Sequence, residues 1–133
     1  MHAHHDVVLS NGLPVVLVPQ PAVHRAVASL YLRVGSRFET AEHNGLSHFL
    51  EHMVFRGTAS LESAHAQALA FERLGGTLYA ATHVDHGVMT VSVPPKNLAR
   101  VLDLLGEVAV APRFGEIEVE RGIVREEILE DKD

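Results

Sequence analysis

The sequence predicts an α+β fold of about five strands, mainly antiparallel, with helices packed on one face of the sheet. Three observations predict this class. An Asn-Gly pair at residues 11–12 separates two β-rich runs, which is typical of a hairpin with a tight primed turn. Residues 26–34 alternate, with every second side chain apolar, as in a half-buried strand. After a Pro-Pro pair, residues 98–108 place apolar side chains at helical spacing.

The other elements are predicted from the turn residues between them. Helices are expected over residues 45–55 and 60–74. Gly75-Gly76 ends the second helix, because glycine adopts the left-handed cap conformation without steric cost. Residues 77–93 then predict two further strands.

A last helix is predicted from about Glu116 to the end of the chain, after breaks at Pro112 and Gly115. Residues 129–133 contain no glycine or asparagine cap and no proline stop. The sequence therefore indicates a piece of a larger protein.

Composition excludes several kinds of site and partner. The 133 residues fit one domain, and 47% hydrophobic with 21% charged residues is ordinary for a globular chain. The absence of cysteine excludes a disulfide scaffold, a cysteine-ligated zinc finger and an iron–sulfur cluster. A net charge of −6 gives no electrostatic reason to expect nucleic acid.

Neither a membrane span nor a signal peptide is expected. No apolar run approaches the roughly 18 residues that a bilayer requires, and residues 1–6 lack an apolar stretch. We therefore expect a soluble protein of the cytoplasm or the periplasm. The 10 histidines are unusual, and without cysteine a metal would have to be held by His, Asp and Glu.

His48, Glu51 and His52 form a His-x-x-Glu-His motif on the first predicted helix. At 100° per residue from His48, His52 lies at about +40° and Glu51 at about −60°, so the three share one face. Two imidazoles at i and i+4 can bind one zinc ion, and the carboxylate beside them can take a proton from its bound water. The alternative is a polar, solvent-facing stripe that contains two histidines by chance.

A third ligand is expected from the last helix, which is rich in glutamate. Glu127 lies within an apolar stripe, where an unpartnered carboxylate would be costly. Glu120 lies about 20° away on the same face, whereas Glu126 points about 100° aside. Glu127 is therefore the best candidate, with Glu120 as a second carboxylate near the site. The alternative is an acidic surface helix with incidental glutamates.

Several blocks of the sequence resemble the pitrilysin-like metallopeptidases, a family that includes insulin-degrading enzyme and mitochondrial processing peptidase. The family's inverted zinc motif is His-x-x-Glu-His. GSRFE at residues 35–39 and NGLSHFLEHMVFRGT at residues 44–58 are similar to its central block. Gly75-Gly76 before a strand and ERGIVREEI at residues 120–128 are similar to its later blocks, in the same order.

The resemblance implies one bound zinc ion. It implies His48 and His52 as zinc ligands, Glu51 as the general base and Glu127 as the third ligand. Glu120 matches a further acidic position that supports the site in the family. Glu126 remains the competing ligand, because a slip of one residue in the matching would exchange the two glutamates.

The chain departs from the family at Tyr79-Ala80. The family usually has Asn-Ala in that strand, and the asparagine helps to hold the substrate backbone. A phenol cannot offer the paired donor and acceptor of an amide. Tyr79 and Ala80 are thus candidate substrate contacts, with plain strand residues as the alternative. A polar cluster at residues 83–86 is interpreted as an exposed turn rather than a second metal site.

The resemblance implies a zinc-dependent endopeptidase that hydrolyses peptides or unfolded segments through a metal-bound water, with Glu51 as base. Family members have two halves that close around a peptide. Residues 1–133 are interpreted as the N-terminal part of one incomplete pitrilysin-like catalytic domain, which a missing C-terminal half or a partner subunit completes. We expect this fragment alone to bind zinc but to be inactive, and its exposed core surface to favour self-association.

Two alternatives stay open. The first is a non-catalytic structural or substrate-capturing subunit of the same family, although such relatives usually have a broken zinc motif. The second is a simple metal-binding module whose closed four-ligand site performs no hydrolysis.

Overall fold

The computed structural model describes residues 3–130 and contains two antiparallel sheets. Strands β1 (His5–Val8) and β2 (Pro14–Leu17) form a hairpin. Strands β3 (Ala26–Leu32), β4 (Tyr79–Thr82) and β5 (Gly87–Val93) form the second sheet in the order β3-β5-β4. The α+β class and the antiparallel pairing are confirmed.

The expectation of one sheet of about five strands is wrong in one respect, because the five strands divide into sheets of two and three. Within the described residues, β1 and β2 pair only with each other. The segment that leads to β3 carries Pro19 and Pro21, and each proline lacks the N–H group that a ladder requires. This segment therefore does not continue the backbone hydrogen-bond ladder from the hairpin into β3.

Four α-helices accompany the sheets: α1 (Leu46–Met53), α2 (Ala64–Glu72), α3 (Leu98–Val110) and α4 (Ile117–Glu130). Helix α2 begins four residues later than predicted because Ser63 is its cap, and the Ser63 side chain accepts a hydrogen bond from the Ala66 N–H. The predicted end of the last helix, at residues 131–133, lies outside the described residues.

The core lies on the face of the three-stranded sheet against which α3 packs. Alternate residues of β5 point into it, and the opposite face leaves Tyr31 and Tyr79 more than 60% exposed. The main buried side chains come from β5, α2 and α3: Phe71, Met89, Val91, Val93, Val101, Leu104, Leu105 and Val108. Within residues 3–130 no helix has the length and apolar character needed to cross a bilayer.

Candidate metal centre

Helix α1 is anchored at its N-terminal end by the carboxylate of Glu39. Its two oxygens accept hydrogen bonds from the backbone N–H groups of Gly45 and Ser47, each at 2.7 Å. A carboxylate is favourable there because the first N–H groups of a helix have no partner within the helix. Hydrogen bonds from the side chain and backbone of Ser47 and from the backbone of Gly45 lower the pKa of Glu39. The start of the helix is thus fixed next to His48.

The other end of α1 is anchored by Gln67 of α2, which is only 2% exposed. Its amide nitrogen donates to the Val54 carbonyl at 2.8 Å, and its amide oxygen accepts from the Gly57 N–H at 3.0 Å. Since the bond to Gly57 is buried and the bond to Val54 is partly buried, they restrict the turn that follows α1. The helix is therefore a rigid base for the side chains of the His-x-x-Glu-His motif.

The two motif histidines meet on the outer face of α1. The Nε2 atoms of His48 and His52 lie 3.2 Å apart, and the rings contact edge to face. The i, i+4 spacing places them one above the other on the helix. The side chain of His52 is 19% exposed and that of His48 is 40% exposed, so the pair lies at the surface with one ring partly enclosed.

Helix α4 packs against α1 and brings Glu127 to the two imidazoles. Glu127 Oε2 lies 3.3 Å from His52 Nε2 and 3.6 Å from His48 Nε2. Four ligands at about 2.0–2.1 Å in a tetrahedron would be separated by about 3.3–3.4 Å from one another. The three atoms therefore have the chemistry and the spacing that one zinc ion requires.

Among the described residues, one group of three donors is compact enough to hold a metal ion: His48, His52 and Glu127, here termed the metal group. Glu126 is exposed on the neighbouring face of α4 and does not belong to this group. The polar turn at residues 83–86 is not such a group either. There the rings of His83 and His86 stack, and a hydrogen bond from His86 lowers the pKa of Asp85.

Glu51 precedes His52 on α1 and is half-buried. It lies on the side of the helix that also carries His48, about 60° around the axis. Glu51 is not one of the three residues grouped as possible metal ligands, so it remains available as a proton acceptor on the same side of the helix.

Glu120 lies behind the metal group and is only 1% exposed. Its Oε2 is 3.2 Å from Nδ1 of His52, on the ring edge opposite the metal group. Its Oε1 forms an ion pair with the guanidinium of Arg56. Sequence reasoning identified Glu120 but missed Arg56. The available signal was its position four residues after His52, which is about one helical turn.

Tyr79 and Ala80 lie on β4, the edge strand next to α1. The Tyr79 side chain is 63% exposed on the open face of the sheet, opposite Thr90 of β5. Ala80 is partly buried against the core. Thr82, at the end of the same strand, donates a hydrogen bond to the Ser47 carbonyl at 3.4 Å. The structure thus joins this edge strand to the N-terminal turn of α1.

An inverted His-x-x-Glu-His motif on one helix with a glutamate from a later helix is the residue pattern of the zinc-metallopeptidase class. The family profile described as insulinase, peptidase family M16, matches residues 14–132. The chain therefore belongs to this family.

Named relatives agree with this assignment. The chain is 38% identical over 120 residues to the uncharacterized zinc protease YmxG of Bacillus subtilis, covering 89% of this chain and 29% of that protein. It is 36% identical over 121 residues to the mitochondrial-processing peptidase subunit beta of Lentinula edodes, covering 90% and 26%. The crystal structure of a protease from Helicobacter pylori superposes with a TM-score of 0.86 at 32% identity, covering 95% and 31%. The chain thus spans less than a third of the length of these proteins.

Proposed function

We propose that this chain carries the zinc site and the general base of an endopeptidase that acts on peptides or unfolded segments. The observation that carries the proposal is the convergence of His48, His52 and Glu127, with three donor atoms 3.2–3.6 Å apart. These residues would hold one zinc ion. When bound, zinc supplies Lewis acidity, which lowers the pKa of a water and polarises a carbonyl.

Glu51 would act as the general base. From its position one residue before His52, it would accept the proton of an attacking water and return it to the leaving amine. His52 is held by Glu120 through its Nδ1 atom, which leaves Nε2 directed at the metal group. The two carboxylates would thus have separate tasks, since Glu120 is buried and Glu51 remains partly accessible.

A substrate peptide would bind along β4. Among the described residues β4 pairs only with β5, so its outer edge can form a ladder with an extended peptide. The exposed Tyr79 and the adjacent Ala80 would then contact the peptide close to α1. This mode uses backbone hydrogen bonds for affinity, which suits unfolded segments better than folded proteins.

Residues 1–133 would be the N-terminal part of one catalytic domain, and this part alone would bind zinc but hydrolyse peptides poorly. Two observations support this. The relatives are more than three times as long as this chain, and the side chains of His48 and Glu127 are 40% and 44% exposed. Water enters such an open site freely, and charge interactions are weaker there than in an enclosed one.

The test compares Glu51→Gln with Glu62→Gln in the full-length protein. Glu62 is an exposed glutamate outside the site, so its variant controls for the loss of one charge. Zinc content and cleavage of a quenched fluorescent, unstructured peptide are measured together. We expect Glu51→Gln to retain zinc and to lose at least about 100-fold in kcat, because a positioned general base contributes about 10²–10⁴-fold.

Two results would contradict the proposal. Cleavage by Glu51→Gln at the rate of the Glu62→Gln control would exclude Glu51 as the base. A full-length protein that binds one zinc ion but cleaves no unstructured peptide would favour the non-catalytic subunit or the metal-binding module.

A further inference from the structure

The carboxylate of Glu120 is the most deeply buried charged group described in this chain, at 1% exposure. A carboxylate in such a position is costly unless a cation or several hydrogen bonds compensate it. Within residues 3–130, no hydrogen bond of regular geometry reaches its Oε1 atom. The partner of this oxygen is therefore the feature that decides whether Glu120 remains in place.

That partner is the guanidinium of Arg56. It forms an ion pair with Glu120 Oε1, and its other terminal nitrogen lies 3.8 Å from the exposed carboxylate of Glu116. The second oxygen of Glu120 is left for His52, whose Nδ1 lies 3.2 Å away. The two oxygens thus have different partners, with Arg56 on one side and a ring of the metal group on the other.

The arrangement selects one tautomer of His52. A carboxylate can only accept, so Nδ1 of His52 carries the proton and donates it to Glu120 Oε2. The lone pair is then on Nε2, which lies 3.2 Å from His48 Nε2 and 3.3 Å from Glu127 Oε2. If Glu120 rotated or moved away, neither the tautomer nor the ring orientation would be set.

Arg56 is itself held by the turn that follows α1. Its backbone N–H donates to the Met53 carbonyl at 3.1 Å, and the adjacent Gly57 N–H donates to the buried Gln67 at 3.0 Å. Gly57 has a φ of 102°, which favours glycine, and Thr58 is fully buried. The guanidinium therefore projects from a restricted backbone, and its planar fork loses less freedom for each hydrogen bond than a lysine ammonium would.

We infer that Arg56 is a positioning residue for the metal group, acting through Glu120 on the ring of His52. The inference rests on the proposed zinc site and adds to it a residue that touches neither metal nor substrate. Arg56 holds the Glu120 carboxylate in the orientation that directs Nε2 of His52 toward His48 and Glu127.

The experiment compares Arg56→Met, Arg56→Lys and the control Arg121→Met in this chain. Arg121 also pairs with a glutamate, Glu118 at 2.8 Å, but both side chains are more than 60% exposed. Zinc affinity is measured by competition with a chelating indicator, and the His52 tautomer by ¹⁵N NMR of the metal-free chain. We expect Arg56→Met to weaken zinc binding about 10- to 100-fold and to lose the Nδ1-protonated form. Arg56→Lys should recover part of the affinity, and Arg121→Met should match the wild type.

A double-mutant comparison separates positioning from general destabilisation. In a Glu120→Gln background, Arg56→Met should weaken zinc binding little further, because Arg56 acts through the charge that is already gone. If Arg56→Met alone does not fold, Arg56→Lys takes its place in both backgrounds. A loss of zinc affinity that Arg56→Lys causes in the wild-type chain but not in the Glu120→Gln chain supports the inference, and an equal loss in both overturns it.

If Arg56→Met binds zinc with wild-type affinity and its His52 is still protonated at Nδ1, the inference about Arg56 is wrong. This result would not affect the proposed zinc site. A wild-type chain that binds no zinc would refute the proposed site instead. The tautomer comparison in the metal-free chains would then still decide the role of Arg56.

Discussion

Replacing Glu127 by alanine tests whether α4 supplies the third zinc ligand. Its Oε2 atom lies 3.3 Å and 3.6 Å from the two Nε2 atoms, so the substitution removes one corner of the proposed tetrahedron. Zinc sites with four protein ligands bind with about 10–16 kcal/mol, or on the order of 2.5–4 kcal/mol per ligand. At 1.4 kcal/mol for each factor of ten, the loss corresponds to about 60- to 700-fold weaker zinc binding.

Glu126→Ala is the matched control, because it removes the same charge one residue earlier from an exposed position. Zinc is titrated into each metal-free variant in competition with a chelating indicator, with circular dichroism as a check of the helices. The control should remain within about threefold of the wild type, since exposed charges are strongly screened. A larger loss of zinc affinity in Glu126→Ala than in Glu127→Ala would assign the third ligand to Glu126. Equal losses would mean that only the change in net charge weakens zinc binding.

Two further predictions concern the elements that position α1. The lowered pKa of Glu39 in the folded protein means that its carboxylate stabilises the fold above the ordinary pKa of glutamate, and that this stabilisation is lost as the pH falls through the lowered pKa. Glu39→Gln should remove this part of the free energy of unfolding. Urea unfolding of the wild type and of Glu39→Gln at neutral and acidic pH checks this prediction. The same pH dependence of the free energy of unfolding in the two proteins would contradict it. Gly57→Ala should destabilise the chain by about 1–3 kcal/mol, because φ is 102° and the added Cβ would meet the Leu61 carbonyl. The control Gly106→Ala, in the interior of α3 with nothing within 4 Å, should stabilise by up to about 1 kcal/mol, and equal effects in thermal unfolding would refute the backbone argument.

Local patterns in the sequence predict much of this structure because they follow from the periods of helix and strand. The spacing of His48 and His52 is sufficient to place both rings on one face of α1. The Asn-Gly turn, the alternating residues of β3 and the Pro-Pro start of α3 are local signals of the same kind. The helical period also placed Glu127 on the same face as Glu120. The argument that an apolar stripe buries Glu127 does not hold, because its side chain is 44% exposed.

The features that the sequence does not predict depend on distant pairing. Arg56 and Glu120 are 64 positions apart, and only the packing of α1 against α4 brings them together. The division of the strands into two sheets depends equally on which edges meet in space. The late start of α2 has a similar cause, since Ser60 is engaged by Glu107 of α3 and helix formation begins only after Ser63.

The most direct test of the central claim is zinc K-edge X-ray absorption on this chain loaded with one equivalent of zinc. The account predicts a four-coordinate ion with nitrogen and oxygen ligands at about 2.0–2.1 Å and the multiple-scattering signature of two imidazoles. Glu127→Ala should keep both imidazoles and lose one protein oxygen. A six-coordinate ion, or a spectrum with fewer than two imidazoles in the wild-type chain, would contradict the assignment of His48 and His52 as zinc ligands.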